Sequence, residues 1–141
     1  MIRTAKGEPE TAGGAPIDPL MDPSLRSSDD GLDVDVVIVG AGISGIGAAI
    51  ELLRRERRSF VLLESASELG GTWRDNTYPG VAVDIPSISY SFSYETDFPW
   101  SRAFAHGPEI QSYVQGCAQK YGVTRHIRYD ARVSLSRFES E

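Results

Sequence analysis

The sequence predicts an α/β fold built around a parallel sheet, and three observations support this prediction. Val36 to Val39 form a β-branched run, which is typical of a strand buried on both faces of a parallel sheet. An amphipathic helical pattern follows over residues 43–56, with charged residues on the polar face. A second apolar run at 60–63 completes a strand–helix–strand unit, for which a right-handed crossover is expected.

The next segment, residues 65–106, is rich in glycine, proline and aromatic residues and has no regular pattern. A long segment of this kind inside a domain is often functional. A helix is predicted to begin at Gly107-Pro108-Glu109 and to end before Gly122. A short strand at 126–129 and a half-buried strand at 132–136 are expected to follow.

The length of 141 residues favours one domain with a tail. Residues 1–32 hold four of the eight prolines and a net charge of −3, half of the total of −6. Too few apolar residues lie there to offset the entropy of ordering, so residues 1–32 are expected to be a disordered tail. A partner-binding arm is the alternative. Residues 33–141 are expected to form the domain.

Composition excludes several classes of protein. The chain has no apolar run of about 18 residues, so no membrane span is expected. Its N-terminus lacks the apolar core of a secretory signal, and a cytoplasmic location is expected. The acidic balance gives no footprint for nucleic acid. Cys117 is the sole cysteine, which excludes a disulfide framework and a cysteine-ligated zinc site, and the two histidines have no metal-ligand spacing. The oligomeric state stays open.

Glycines at 40, 42 and 45 form a G-x-G-x-x-G motif between the first strand and the first helix. In this motif Gly40 permits a tight turn, Gly42 lets backbone approach a pyrophosphate, and Gly45 lets the helix pack closely on the strand. The motif with its strand and helix predicts a doubly wound, Rossmann-like FAD- or NAD(P)-binding domain. A glycine-rich turn without a ligand is the alternative.

Glu64 stands at the end of the second strand, 19 residues after Gly45. An acid at about this distance accepts hydrogen bonds from the ribose hydroxyls of a bound dinucleotide. A 2′-phosphate would be repelled there, which disfavours NADP at this site. The alternative is a solvated acid at a strand end.

A longer series of motifs resembles the N-terminal FAD-binding region of flavin-dependent monooxygenases. The similarity extends over about residues 33–141 and is greatest to Baeyer–Villiger monooxygenases and their N-hydroxylating relatives. It rests on Gly70-Gly71-Thr72-Trp73, Asn76, Tyr78-Pro79-Gly80, Asp84 and Tyr90-Ser91-Phe92-Ser93.

The resemblance implies a set of FAD-binding residues. The pyrophosphate cradle would consist of Gly40, Gly42, Ser44 and Gly45, and Glu64 would hold the adenosine ribose. The flavin pocket would be lined by Gly71, Thr72, Trp73 and Tyr90. Asp84 matches a catalytic acid beside the isoalloxazine ring, where a carboxylate can orient a cation.

The resemblance also implies an activity. In the family NADPH reduces FAD, O2 adds at the flavin C4a, and the peroxyflavin oxygenates a ketone or a soft nucleophile, so a small-molecule substrate is expected. The family's NADPH loop, its monooxygenase signature and its catalytic arginine find no counterpart in this chain. We therefore expect a domain incomplete at its C-terminal side, and inactive alone. A non-catalytic remnant with weak or no FAD binding is the alternative.

One departure leaves the subfamily open. Val81-Ala82-Val83 precede Asp84, where the Baeyer–Villiger pattern often has an arginine and a cysteine. An N-hydroxylating relative is therefore a further possibility. A disulfide oxidoreductase sharing the fold is discounted, because its paired C-x-x-C motif needs two cysteines.

Overall fold

The computed structural model describes residues 34–55 and 59–138, together with the backbone of residues 2–5. The strands are β1 (Ile2–Ala5), β2 (Val36–Val39), β3 (Phe60–Leu63), β4 (Ile127–Arg128) and β5 (Arg132–Ser136). The helices are α1 (Ile43–Arg54), α2 (Thr72–Asp75), α3 (Ser87–Tyr90) and α4 (Gly107–Lys120), and a 3₁₀ helix spans Thr124–His126.

The predicted strand–helix–strand unit is confirmed. β2 and β3 pair in parallel with Val36 opposite Phe60, and α1 connects them. β4 continues the sheet on the other side of β3, which gives the order β2-β3-β4. The strand expected at 126–129 is shorter than predicted, because only two of its residues pair with β3.

The core lies between this sheet, α1 and α4. The buried face of α1 consists of Ile46, Ala49 and Ile50. The buried face of α4 includes Ile110, Tyr113, Val114, Cys117 and Ala118. α4 begins and ends where the sequence predicts. Within the ranges that the structure describes, no helix is long and apolar enough to cross a bilayer.

The aromatic segment that precedes α4 is ordered around one side chain, Tyr113. The rings of Phe98 and Trp100 lie 5.3 and 5.1 Å from its ring. The Tyr113 hydroxyl accepts a 2.7 Å hydrogen bond from the backbone nitrogen of Phe92 and donates one of 3.1 Å to the carbonyl of Glu95. A segment with little regular structure is thereby fixed against a regular helix.

The expectation of a disordered tail is wrong for residues 2–5. They form β1, which pairs antiparallel with β5, so that Ile2 lies opposite Ser136 and Ala5 opposite Arg132. The physical reason is that strand pairing satisfies backbone groups and requires no buried core. The side chains of β5 are mostly exposed, with Val133 half-buried. The other residues expected in the tail lie outside the described ranges.

Candidate functional site

A groove of about 280 Å³ opens at the carboxyl end of β2, between two glycine-containing loops. We call these the first loop (residues 40–45) and the second loop (residues 70–73). The groove brings together most of the residues predicted to bind a cofactor. Its lining consists of Val39, Gly40, Gly42, Ile43, Ser44, Gly45, Gly70, Gly71, Thr72, Trp73 and Tyr90.

Two glycines of the first loop are required by the fold itself. Gly40 has a φ of +92°, a conformation that favours glycine, and its nitrogen donates a 2.8 Å hydrogen bond to the carbonyl of Leu63. A Cβ at Gly45 would lie 1.9 Å from the carbonyl oxygen of Gly40. The predicted roles of a tight turn and a close helix–strand contact are therefore both seen.

Gly42 has no such reason to be glycine. Its φ is −75°, which any residue adopts. The nearest atom to a Cβ at this position would be the Cα of Gly71, at the ordinary contact distance of 3.8 Å. Neither conformation nor packing within the protein requires glycine at 42. What its missing side chain provides is open space in the groove.

The second loop forms the opposite wall. The nitrogen of Gly70 donates a 2.9 Å hydrogen bond to the carbonyl of Ala41, so the two loops are joined by their backbones. A Cβ at Gly71 would come within 3.1 Å of the Cα of Gly42. This close approach places the start of α2, with Thr72 and Trp73, beside the first loop.

Trp73 and Tyr90 close one end of the groove. The indole Nε1 of Trp73 donates a 3.1 Å hydrogen bond to the Tyr90 hydroxyl, and the two rings meet edge to face at 5.6 Å. Trp73 also lines a second cavity of about 310 Å³, together with Asn76, Thr77, Tyr78, Gly80, Val81, His106 and Pro108. An indole that lines two cavities offers an apolar aromatic surface that a planar ligand can contact.

Glu64 is 3% exposed, so the alternative of a solvated acid is wrong. Its Oε2 accepts a 2.7 Å hydrogen bond from the nitrogen of Ala41, and its Oε1 accepts one of 2.9 Å from the nitrogen of Ala66. Burial raises the pKa of Glu64, but these two hydrogen bonds and the Arg74 guanidinium outweigh it, and the pKa lies below its usual value. The acid is thus a buried, ionised neighbour of the first loop.

Arg74 is a site residue that the sequence analysis missed. Its Nη1 donates a 3.1 Å hydrogen bond to Oε1 of Glu64 and a further one to the carbonyl of Glu68, and its Nε donates one of 2.7 Å to Asp75. An arginine ten residues beyond a strand-end acid belongs to no sequence motif that predicts such a contact. Only the fold of the second loop brings the two charges together.

Asp84 is not among the residues that line the groove. Its side chain is exposed, and among the described residues no hydrogen bond or ion pair of Asp84 is found. The neighbouring Val83 is anchored by a 3.0 Å hydrogen bond from its nitrogen to the carbonyl of Ala105. The structure holds the backbone beside Asp84 but does not bring this carboxylate to the other predicted residues, and its catalytic role stays a prediction.

The chain is similar in sequence and structure to known proteins. Residues 38–107 match the NAD(P)-binding Rossmann-like domain, which confirms the predicted fold class. The chain is 42% identical over 108 residues to a Baeyer–Villiger monooxygenase of Streptomyces coelicolor, a match that covers 77% of this chain and 21% of that protein.

Two solved structures are also similar. One is a steroid monooxygenase bound to NADP, with a TM-score of 0.65 and 40% identity over 69% of this chain and 19% of that one. The other is OTEMO in complex with FAD and NADP, with a TM-score of 0.70 and 32% identity over 75% of this chain and 21% of that one. The chain therefore spans about a fifth of the length of the proteins that it matches.

Proposed function

We propose that this chain, a Rossmann-like relative of the flavin-dependent Baeyer–Villiger monooxygenases, is the FAD-binding part of an NADPH-dependent flavoprotein monooxygenase. The observation that carries the proposal is Gly42, which the protein's own packing does not require to be glycine. A bound pyrophosphate supplies the missing reason, because it needs close approach to backbone without a Cβ in the way.

The start of α1 fits a phosphate group. α1 has 12 residues, and no acidic residue lies in its first turn. Its N-cap residue is Gly42, which has no side chain that could cap the helix. The first N–H groups of a helix have no partners within the helix and carry a partial positive charge. Ser44 is exposed on this first turn and lines the groove. These features support anion binding by Gly40, Gly42, Ser44 and Gly45.

Glu64 fits the adenosine ribose. Its Oε2 has one hydrogen-bond donor from the protein, the nitrogen of Ala41, and a carboxylate oxygen can accept more than one. Because Ala41 belongs to the first loop, a ribose bonded to Oε2 would lie next to the pyrophosphate. The lowered pKa keeps the carboxylate ionised as an acceptor at neutral pH.

Gly71, Thr72, Trp73 and Tyr90 would meet the flavin end of FAD. When bound, FAD supplies the redox chemistry by which electrons from NADPH allow O2 to oxygenate a ketone or a soft nucleophile. The residues of this chain bind and orient the cofactor, and the half-buried Trp73–Tyr90 pair covers one end of the groove. The NADPH site and the small-molecule substrate site are proposed to lie outside this chain.

Asp84 is proposed as the catalytic carboxylate of the holoenzyme, by its match to the family motif. The Tyr78-Pro79-Gly80 turn precedes it, and Pro86 follows. Both restrict the backbone on either side of the acid. A carboxylate held in this way suits the orientation of a catalytic cation.

A second candidate is a non-catalytic remnant that binds FAD weakly or not at all. Val39, at the end of β2 and on the rim of the groove, is 64% exposed. β2 is also an edge strand of the described sheet, and an unpaired strand edge is a liability that finished sheets cover or block. The two candidates differ in measurable affinity for FAD.

Titration of the 141-residue chain with FAD, followed by flavin fluorescence and by equilibrium dialysis, tests the proposal. The expected result is saturable binding that ADP weakens by competition, with no FAD-dependent NADPH oxidation by the chain alone. Arg55→Ala, on the exposed end of α1, serves as the control for nonspecific effects. A chain that remains folded and shows no saturable binding would favour the remnant.

A further inference from the structure

We propose that Arg74 is a positioning residue for the dinucleotide, which holds the Glu64 carboxylate so that Oε2 stays available to a ribose hydroxyl. The inference rests on the proposed binding of FAD in the groove. Arg74 does not itself line the groove, and its guanidinium acts through Glu64.

The two oxygens of Glu64 have unequal surroundings. Oε1 accepts hydrogen bonds from the nitrogen of Ala66, from Nη1 of Arg74 at 3.1 Å and from the hydroxyl of Ser65 at 3.3 Å. Oε2 accepts one, from the nitrogen of Ala41. Since a carboxylate oxygen offers about two lone-pair sites, Oε1 is fully used and Oε2 has one left. Arg74 is thus one of three donors that hold Oε1, and Oε2 is the oxygen left with accepting capacity.

Arg74 also ties together the elements around the acid. Besides Glu64, its guanidinium contacts the carbonyl of Glu68, at the end of the connection that follows β3. Its own backbone nitrogen donates a 3.1 Å hydrogen bond to the carbonyl of Gly71. Because Thr72 and Trp73 precede it on α2, Arg74 links the Glu64 carboxylate to the helix that carries these two groove residues.

Burial makes this ion pair more than a surface contact. The side chains of Arg74 and Glu64 are 15% and 4% exposed. Ion pairs shielded from water depend strongly on geometry, and a planar guanidinium bonds two acceptors at fixed angles. A lysine could supply the charge but not both hydrogen bonds in this geometry, so Arg74→Lys is expected to recover part of the function.

The test compares Arg74→Ala and Arg74→Lys with two controls in the full chain. Asp75→Asn removes the other carboxylate that Arg74 binds and leaves the contact with Glu64. Arg55→Ala removes an exposed arginine that pairs with Glu51. Each variant is titrated with FAD between about pH 4 and pH 8, and its melting temperature without FAD is recorded.

We expect Arg74→Ala to weaken FAD binding about tenfold or more, as for loss of a charge-assisted contact. Arg74→Lys is expected to fall between Arg74→Ala and the wild type. The controls should stay within about twofold, because surface substitutions away from a site have small effects.

The pH profile separates positioning from general stability. Arg74 lowers the pKa of Glu64, so FAD binding by Arg74→Ala should be lost at a higher pH on acidification than binding by the wild type. The other titratable or charged residues on elements around Glu64 are Glu68, Asp75, Arg128, Tyr129 and Asp130. Of these, Asp75 also loses its partner in Arg74→Ala, and the hydrogen bond from Arg74 is the main reason that its pKa is lowered. The pH profile of Asp75→Asn therefore shows how much of the difference comes from Asp75 rather than from Glu64.

The outcomes are distinguishable. Wild-type affinity for FAD and an unchanged pH profile in Arg74→Ala would overturn the proposed role of Arg74 and leave the proposed function standing. So would an Asp75→Asn variant as weak as Arg74→Ala, because the Asp75 contact would then be the one that matters. If Arg74→Ala is unstable, a stable Arg74→Lys with wild-type binding and pH profile overturns the proposal. No FAD binding by the folded wild type overturns the proposed function and this inference with it.

Discussion

A Cβ atom at Gly45 would lie 1.9 Å from the carbonyl oxygen of Gly40, whereas a Cβ at Gly42 would meet nothing nearer than 3.8 Å. The first contact is impossible without a backbone shift, and the second is ordinary. Two glycines of one motif, three residues apart, thus differ: packing requires glycine at 45, whereas nothing in the protein's own packing requires it at 42. Gly45 serves the packing of α1 on β2, and Gly42 leaves the groove open.

Gly42→Ala should therefore separate folding from cofactor binding. The added methyl group meets no protein atom closely, so the melting temperature without FAD should stay close to that of the wild type. Retention of FAD should be lost, because the methyl group occupies space proposed for the pyrophosphate. The measurement is the flavin-to-protein ratio after gel filtration, and a normally yellow Gly42→Ala protein would contradict the proposed site.

Gly45→Ala, in contrast, is expected to lower the stability of the fold. Its methyl group must displace the backbone at Gly40, and overpacking of this kind typically costs about 1–3 kcal/mol or more. The free energy of unfolding, measured in urea, should fall for Gly45→Ala and remain unchanged for Gly42→Ala. Equal stability of the two variants would show that the contact between Gly45 and Gly40 relaxes without penalty.

Glu64→Gln should lower stability in a pH-dependent way. The pKa of Glu64 lies below the ordinary value of a glutamate, so the stability contributed by its ionised form is complete above that ordinary value and is lost as the pH falls through the lower, folded-state pKa. At pH 7 the substitution removes charge-assisted hydrogen bonds that contribute about 1–3 kcal/mol. The measurement is the difference in the free energy of unfolding between the wild type and Glu64→Gln, at pH 7 and at pH 3. This difference should be smaller at pH 3. An equal difference at both pH values would argue against an ionised, hydrogen-bonded Glu64.

Tyr113→Phe should loosen the aromatic segment before α4. The substitution leaves the nitrogen of Phe92 without its 2.7 Å acceptor and the carbonyl of Glu95 without its donor. A fully buried unsatisfied group costs about 1–3 kcal/mol, and for these partly buried groups we expect a loss of stability toward the lower end of that range. Tyr78→Phe is the matched control, because the ring of Tyr78 is exposed. Denaturant unfolding monitored by tryptophan fluorescence provides the comparison, and equal stability of the two variants would contradict the anchoring role of Tyr113.

Asp84→Ala tests the proposed catalytic acid. Because Asp84 is exposed and lies off the groove, FAD affinity and melting temperature of the chain should not change. In an NADPH-oxidising protein that contains this segment, product formed per NADPH should fall while hydrogen peroxide rises. Loss of one positioned charge contact costs about 2–4 kcal/mol, or roughly 30- to 1000-fold in rate.

The control for this experiment is Asp97→Ala, since Asp97 is another exposed acid of the same segment. Both variants need full occupancy with flavin before coupling is assayed. Unchanged coupling in Asp84→Ala would return this residue to the status of an ordinary loop acid.

Local rules were sufficient to predict the β2–α1–β3 unit. A β-branched run, a glycine motif and a helical period each dictate structure over a few residues, and they agree with one another from Val36 to Leu63. The position of Glu64 follows from the same unit, because the acid directly ends β3. These features are predictable since each depends on neighbours in sequence.

The structural features that could not be predicted depend on contacts between residues far apart in the sequence. The pairing of β1 with β5 joins residues more than 120 positions apart, and no propensity encodes such a partner. The contact of Arg74 with Glu64 requires the second loop to turn back through Gly70 and Gly71. Family resemblance names Asp84 as a site residue, but only the tertiary structure shows that it does not line the groove.

The sheet order has a consequence for hydrogen exchange along β2. The amides of Val36 and Gly40 donate to the carbonyls of Ser59 and Leu63, and the alternation of a parallel strand directs Ile38 the same way. Val37 and Val39 point their amides to the opposite edge, where the described part of the chain provides no strand. Deuterium should therefore enter β2 at every second residue. A further strand pairing at this edge would protect the amides of Val37 and Val39 from exchange and abolish the alternation. Exchange at these two amides therefore shows whether another strand pairs with β2.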